Sequence, residues 1–208
     1  MNKGLLLVVM EPPASLEEEF NDWYDTEHFP QRSALPGFET ASRWTCVSGW
    51  PRWLALYDLT STAALESEAY RAVSGANSTP WSHRILPRTL GRMRVIAEQL
   101  APGDASGLNP GQVSRLLVAR YSSAIVAERE QAIIEIALST FRALDGVAQL
   151  RVFKSQRAST LDLWTIAAFD HPISPETLMA AVGRVAGSFG ADVFGADIFN
   201  VYVPYFRK

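Results

Sequence analysis

Apolar and polar positions along this chain fall into two successions of the same kind. Residues 4–10, GLLLVVM, form a short apolar run of strand character. Leu16, Phe20 and Trp23 then recur at helical spacing, so residues 14–29 are predicted to be a helix, ended by Pro30. Residues 38–47 alternate as a strand and residues 53–60 read as another. Residues 63–73 read as a second helix, an irregular stretch follows around Pro80 and Pro87, and residues 92–99 close the half as a strand. After a run of Pro, Gly, Asp, Ser and Asn the order returns. Strands are predicted at 115–121, 147–154, 161–169 and 194–203, with helices at 126–143 and 175–187.

Each half therefore reads β-α-β-β-α-β. The halves also match in residues: LPGFETASRW stands against LDGVAQLRVF, and WLALYDLTS against LWTIAAFDH. The predicted fold class is α+β, with two tandem ferredoxin-like repeats at 1–100 and 113–208 joined by a linker at 101–112. Each would make a four-stranded antiparallel sheet with both helices on one face, leaving the other face to be covered by its counterpart. The strand at 38–46 puts Phe38, Thr40, Ser42, Trp44 and Cys46 on one side and Ala41, Arg43 and Thr45 on the other, with neither side polar throughout. That suits burial on both faces, and a barrel-like core made by two sheets within one polypeptide.

Composition narrows the class. A hydrophobic share of 48%, a charged share of 20% and a net charge of −3 describe a globular chain and offer no basic field for nucleic acid. The single cysteine, Cys46, excludes a disulfide framework or a cysteine metal cluster and suits a cytoplasmic setting. The first apolar run stops at Glu11, and no segment reaches the roughly 18 apolar residues of a membrane span.

The densest chemistry lies in the first helix, where six carboxylates, Glu17, Glu18, Glu19, Asp22, Asp25 and Glu27, precede the first following basic residue, Arg32. Acids suit a helix N-terminus, whereas Asp25 and Glu27 stand where a cation is favoured. On a helical wheel Glu27 lands in the apolar stripe, where desolvation would raise its pKa. Tyr24 and His28 share the adjacent flank. The predicted helix end and the neighbouring acids favour the charged form of His28. Glu27 and His28 are thus the candidate proton-handling pair, against the alternative that Glu27 simply pairs with Arg43.

The string Glu18-Glu19-Phe20, Trp23, His28-Phe29-Pro30 and Pro36-Gly37 resembles the EthD-like proteins of the dimeric α+β barrel superfamily. The resemblance implies ferredoxin-like units used in pairs, with a ligand cavity between helices and sheet. It also implies activities ranging from monooxygenase, isomerase, cyclase or dehydratase to haem binding and ligand sensing. The motif histidine is His28 and the motif tryptophan Trp23. Aligning the two halves puts Ala132, Ile136 and Ala137 opposite Trp23, Glu27 and His28, so one working site is expected, in the first half.

These readings combine into an expected enzyme acting by proton transfer on a small apolar or aromatic ligand. His28 and Glu27 would be catalytic, and Phe20, Trp23, Tyr24, Arg43, Trp81 and His83 would bind substrate. Trp81 and His83 enter because their irregular segment could line a cavity mouth; Tyr57 and Asp58 are further candidates. The alternative is a non-catalytic ligand-binding or assembly protein, and a homodimer of the two-repeat chain is a candidate assembly. The histidines at 28, 83 and 171 have no metal-binding spacing, and no phosphate loop, nucleophile elbow or dinucleotide fingerprint occurs. No cofactor is expected. Haem, ligated by His28 or His83, is the alternative, opposed by the repulsion an acidic helix would exert on the propionates.

Overall fold

The computed structural model describes residues 2–123, 127–157, 160–188 and 193–207. In chain order the strands are β1 (Gly4–Glu11), β2 (Phe38–Ser48), β3 (Trp53–Leu59), β4 (Leu90–Ala101), β5 (Arg115–Ser123), β6 (Val147–Arg157), β7 (Thr160–Phe169) and β8 (Val193–Pro204). They close into one barrel in the order β1-β3-β2-β8-β5-β7-β6-β4, every adjoining pair antiparallel. Helices lie outside: α1 (Glu17–Trp23), α2 (Phe29–Ser33), α3 (Glu68–Arg71) and α4 (Pro80–Ile85) in the first half, and α5 (Ala127–Arg142) and α6 (Pro175–Ser188) in the second.

Three cores follow from this layering. Leu5, Leu7, Leu54, Leu56, Trp164 and Ile166 fill the barrel interior. Leu6, Tyr57, Phe20 and Trp23 fill the space between the first sheet and its helices, and Leu117, Phe141, Leu178 and Val185 do the same in the second half. A strand between two such layers is apolar on both faces, which is why β3, WLALYDL, is buried at every position.

The two seams that close the barrel are short. β4 pairs with β6 only across Glu98–Lys154, Gln99–Phe153 and Ala101–Val152. β2 meets the last residue of β8 at Trp44–Pro204, so its stretch from Phe38 to Arg43 runs on past that partner. Both overhangs lie at the barrel end where β3, β4, β7 and β8 finish, and the connection from β4 to β5 crosses that same end.

Several expectations are corrected. The first helix does not stop at Pro30: residues Tyr24–His28 form a π-helical turn in which the Phe29 N–H reaches back to the Tyr24 carbonyl, and α2 continues to Ser33. Pro30 is the second residue of α2, directly after the π turn, and the helical backbone runs through it to Ser33. The wider turn also shifts later side chains around the axis relative to a regular wheel, carrying Arg32 into the interior at 5% exposure. The helix expected at 63–73 is interrupted at Ser67, whose extended backbone and side chain cap α3 instead. The stretch read as irregular contains α4, started by Thr79 as N-cap and Pro80 in the first turn. In β2 a register shift between Phe38 and Thr40 turns Phe38 to the helix side, against Tyr57 at 5.8 Å, while Trp44 keeps the barrel side. Val126, the expected start of the long second-half helix, lies outside the described residues.

Candidate functional site

At the open end of the barrel lies a cavity of about 710 Å³. Its apolar wall comes from inward positions of both halves: Trp44 and Leu56 from the first, Leu116, Ile166 and Ala168 from the second, with Leu108 and Val113 from the connection between them. Its charges balance, with Asp25, Glu39 and Asp58 set against Arg43, Arg151 and Arg207.

Two charged groupings organise the wall. The first joins the acidic helix to the chain end. Arg43, 5% exposed, pairs with Asp25, donates to Asn21 Oδ1 at 2.8 Å, and lies over the rings of Tyr24 at 4.3 Å and Tyr205 at 4.5 Å. Tyr205 donates its hydroxyl to Asp25 Oδ2 at 3.2 Å, while Arg207 pairs with Asp22 and approaches Asp25 at 3.6 Å. Burial, then the Asp25 carboxylate, pushes the Tyr205 phenol above its ordinary value. The main-chain bond from Tyr205 N–H to Arg43 carbonyl, 3.0 Å, extends the β2–β8 seam by one step and brings the chain end to the site.

The second grouping joins the two halves. Asp58 on β3 accepts from Thr40 Oγ1 at 2.5 Å and from the Gly107 N–H at 2.7 Å through Oδ2, and from Arg151 Nη1 at 2.5 Å through Oδ1. Gly107 belongs to the connecting segment, which is further tied down by Gln149 donating to the Ser106 carbonyl at 2.8 Å and Lys3 to Ser106 Oγ at 2.8 Å. A side chain at Gly107 would place Cβ 3.0 Å from both Arg151 Nη2 and Asp58 Oδ2, so the close approach suits glycine.

Of the site residues read from sequence, Arg43 lines this cavity, as does the further candidate Asp58. Phe20, Trp23 and Tyr24 are buried behind the wall in the helix–sheet core, where Trp23 donates to Ser82 Oγ at 3.1 Å. His28 packs between Trp23 at 4.5 Å and Tyr24 at 5.3 Å, and its Nδ1 is enclosed without a partner. The expected imidazolium is corrected: burial, with Arg32 and Arg43 adding repulsion, pushes the His28 pKa down to about 3, so the ring is neutral near pH 7. The helix does not end there, so no C-terminal dipole opposes this. Glu27 accepts from Thr79 Oγ1 at 2.5 Å rather than pairing with Arg43. Trp81 stands on α4, donating to Glu19 Oε1 at 3.0 Å, and His83 on the same helix is exposed.

Arg151, Tyr205 and Gly107 escaped the sequence reading. For Arg151 a signal existed: in the alignment of the two halves it falls opposite Ser42, an inward position, between buried Leu150 and Val152.

No protein-family model and no curated protein matches the sequence. Solved structures do. An anthrone oxidase-like protein superposes with a TM-score of 0.68 at 14% identity, covering 99% of this chain and 92% of its own. The fold is that of the dimeric α+β barrels. A chlorite dismutase from Candidatus Nitrospira defluvii matches at 0.61 and 9% identity over 97% of this chain and 91% of that one. A heme-binding protein from Thermus thermophilus matches at 0.53 and 12% over 99% and 92%. Monooxygenase-like proteins share the fold as well. At these identities the likeness is one of fold.

These neighbours overturn the expectation of no cofactor: haem belongs to the repertoire of this fold. The argument from an acidic helix also fails, because Glu17 pairs with Arg52, Glu19 with Arg84, Asp22 with Arg207 and Asp25 with Arg43, which neutralises that face. The cavity itself nevertheless does not fit haem. No histidine, cysteine or methionine is on its wall, and Tyr205, whose oxygen could ligate iron, is held in its protonated form by burial and Asp25. Among the described residues no group of three or more His, Cys, Asp or Glu could hold a metal ion, and no helix is long and apolar enough to cross a membrane.

Proposed function

We propose that this protein is a small enzyme that moves a proton on a neutral, planar aromatic substrate bound in the barrel-mouth cavity, in chemistry of the oxidase or monooxygenase type. The observation that carries the reading is the cavity: its volume falls within the roughly 300–1,000 Å³ of small-molecule sites, its walls are apolar, and its charges are mutually paired. A ligand with a net charge would leave one of those pairs unbalanced at a desolvation cost, so a neutral ring system is favoured. The names carried by the anthrone oxidase-like and monooxygenase-like neighbours favour oxidation over isomerase, dehydratase or cyclase chemistry.

In this reading Asp25 accepts the proton, directly or through the Tyr205 hydroxyl that it already binds, Arg43 stabilises the carbanion charge left on the substrate, and dissolved molecular oxygen is the oxidant that takes up the substrate's electrons. The Tyr24 ring, 4.3 Å from the guanidinium, positions it from behind. The chain is read as a tandem duplication of a ferredoxin-like unit related to the EthD-like proteins, 1–100 and 113–208 joined by 101–112, with a single site that draws on both units.

The test is a panel of neutral tricyclic ketones, anthrone first, followed by tryptophan fluorescence for binding and by an oxygen electrode for turnover. Saturable quenching with oxygen uptake, and an Asp25→Asn variant that binds but turns over at least a hundredfold more slowly, is the expected outcome. Binding without turnover would mark the second reading, a non-catalytic ligand-binding module of this fold.

A further inference from the structure

The overhang of β2 leaves a main-chain rung open in the cavity wall. In an antiparallel strand the N–H and C=O of one residue point to the same side, and the side alternates from residue to residue. The Cys46 N–H donates to the Arg52 carbonyl at 2.7 Å, on the β3 side, so Thr40 and Ser42, in step with Cys46, face β3 as well. The Arg43 carbonyl accepts from the Tyr205 N–H at 3.0 Å, on the side of β8. Ala41, two residues earlier, points the same way as Arg43, but β8 has ended at Pro204. Among the described residues no hydrogen bond reaches the Ala41 N–H or C=O on that side. Its register is undisturbed, because the shifts in β2 fall between Phe38 and Thr40 and, against β8, between Cys46 and Ser48. Ala41, Ser42 and Tyr205 all line the cavity. An open strand edge ordinarily takes another strand, which needs several rungs. Here Tyr205 fills the rung at Arg43 and the register shift comes directly before Thr40, so one residue is left, which suits a ring with one donor and one acceptor side by side rather than a peptide.

We propose that the main-chain N–H and C=O of Ala41 are the specificity determinant of the cavity, and that the substrate class is the neutral fused-ring aromatic lactams, in which a cis N–H and carbonyl sit side by side on one ring edge. The lactam N–H donates to the Ala41 carbonyl, and the lactam carbonyl accepts from the Ala41 N–H. The ring continues the sheet past the end of β8, with Phe29 and Asp25 on its helix side and Leu108 and Leu116 on its barrel side. No charged group takes part in this pairing, in keeping with a neutral ligand. The inference rests on the barrel-mouth cavity being the binding site.

Three bicyclic probes of nearly one shape isolate the claim: 2-quinolone carries the lactam edge, 1-methyl-2-quinolone blocks its donor, and coumarin has an oxygen in place of the N–H. Each is titrated calorimetrically into the full chain. In parallel the main-chain amide of Ala41 is followed by NMR in alanine-labelled protein, assigned with Ala41→Ser. The proposal expects 2-quinolone to bind at least tenfold more tightly than the other two, about 1.4 kcal/mol, and to move the Ala41 amide proton downfield. Ala41→Pro removes the N–H at an edge position of the kind that accepts proline, and should bring 2-quinolone down to the affinity of coumarin. Equal binding of all three, or an Ala41 amide unmoved by 2-quinolone, overturns the main-chain reading and leaves the cavity as the site. No binding by any of the three overturns the lactam class, and the cavity reading falls with it where anthrone also fails to bind. The resonance measurement uses the unaltered protein, so the test stands even where Ala41→Pro fails to fold.

Discussion

Arg151 on β6 donates to Asp58 on β3 across 2.5 Å, although the two stand 93 positions apart and in different halves of the chain. The bond crosses the barrel at the end where both seams are short, so it ties the halves together where the ladders do not.

Breaking that pair by one partner should be expensive. Arg151→Met or Asp58→Asn leaves an uncompensated buried group, and a loss of about 3–5 kcal/mol in urea unfolding is expected. The double variant Asp58→Leu/Arg151→Met should be closer to wild type than either single change, because no orphan charge remains. A double variant as unstable as the worse single one would show that the pair is held by more than its charges.

His28 gives the protein a pH signature. Its native pKa is pushed to about 3 from an ordinary 6.5, so between these values the unfolded chain takes up a proton that the native ring refuses. Stability is therefore full above about pH 6.5 and falls as pH drops toward 3, with a slope of up to about 1.4 kcal/mol per pH unit from this one group. His28→Phe should flatten that part of the profile. An unchanged slope in denaturant titrations from pH 7 to 4 would show the ring to be ordinary.

Thr79 links the first helix to α4, donating to Glu27 Oε1 and accepting from the Ser82 N–H as N-cap. Thr79→Val should cost about 1 kcal/mol of stability. If the chemistry sits in the barrel mouth, ring-compound binding should be unaffected. A loss of binding would move the site toward Glu27.

Gly107→Ala tests the connection as part of the cavity wall. The added methyl meets Asp58 and Arg151 at 3.0 Å and should weaken the Gly107 N–H bond to Asp58. Faster hydrogen exchange over residues 106–110 and weaker ligand binding are expected, with a global stability loss of about 1 kcal/mol.

The pattern of apolar positions was enough to place the eight strands along the chain, because a period of 2 is a property of the local backbone, whereas the short helices α3 and α4 were not legible in it. The burial on both faces expected of residues 38–46 is found at β3, buried at every position, while β2 is mostly half-buried; Gly37 and Gly146, aligned in the sequence, both turn at positive φ. The first helix was read correctly in its apolar stripe at Phe20 and Trp23. It was misread beyond Tyr24, because a helical wheel assumes a regular turn and the π turn breaks that assumption. The charge of His28 was misjudged for a related reason: it depends first on burial and then on Arg32 and Arg43, and both the burial and the approach of Arg43 come only through the fold. Cavity, ion pair and chain-end contacts were settled by tertiary structure alone. Asp58, Arg151, Gly107 and Tyr205 share no local period. They meet because two seams end early at one mouth of the barrel, which brings residues of two strands, the connection and the segment after β8 onto one cavity wall.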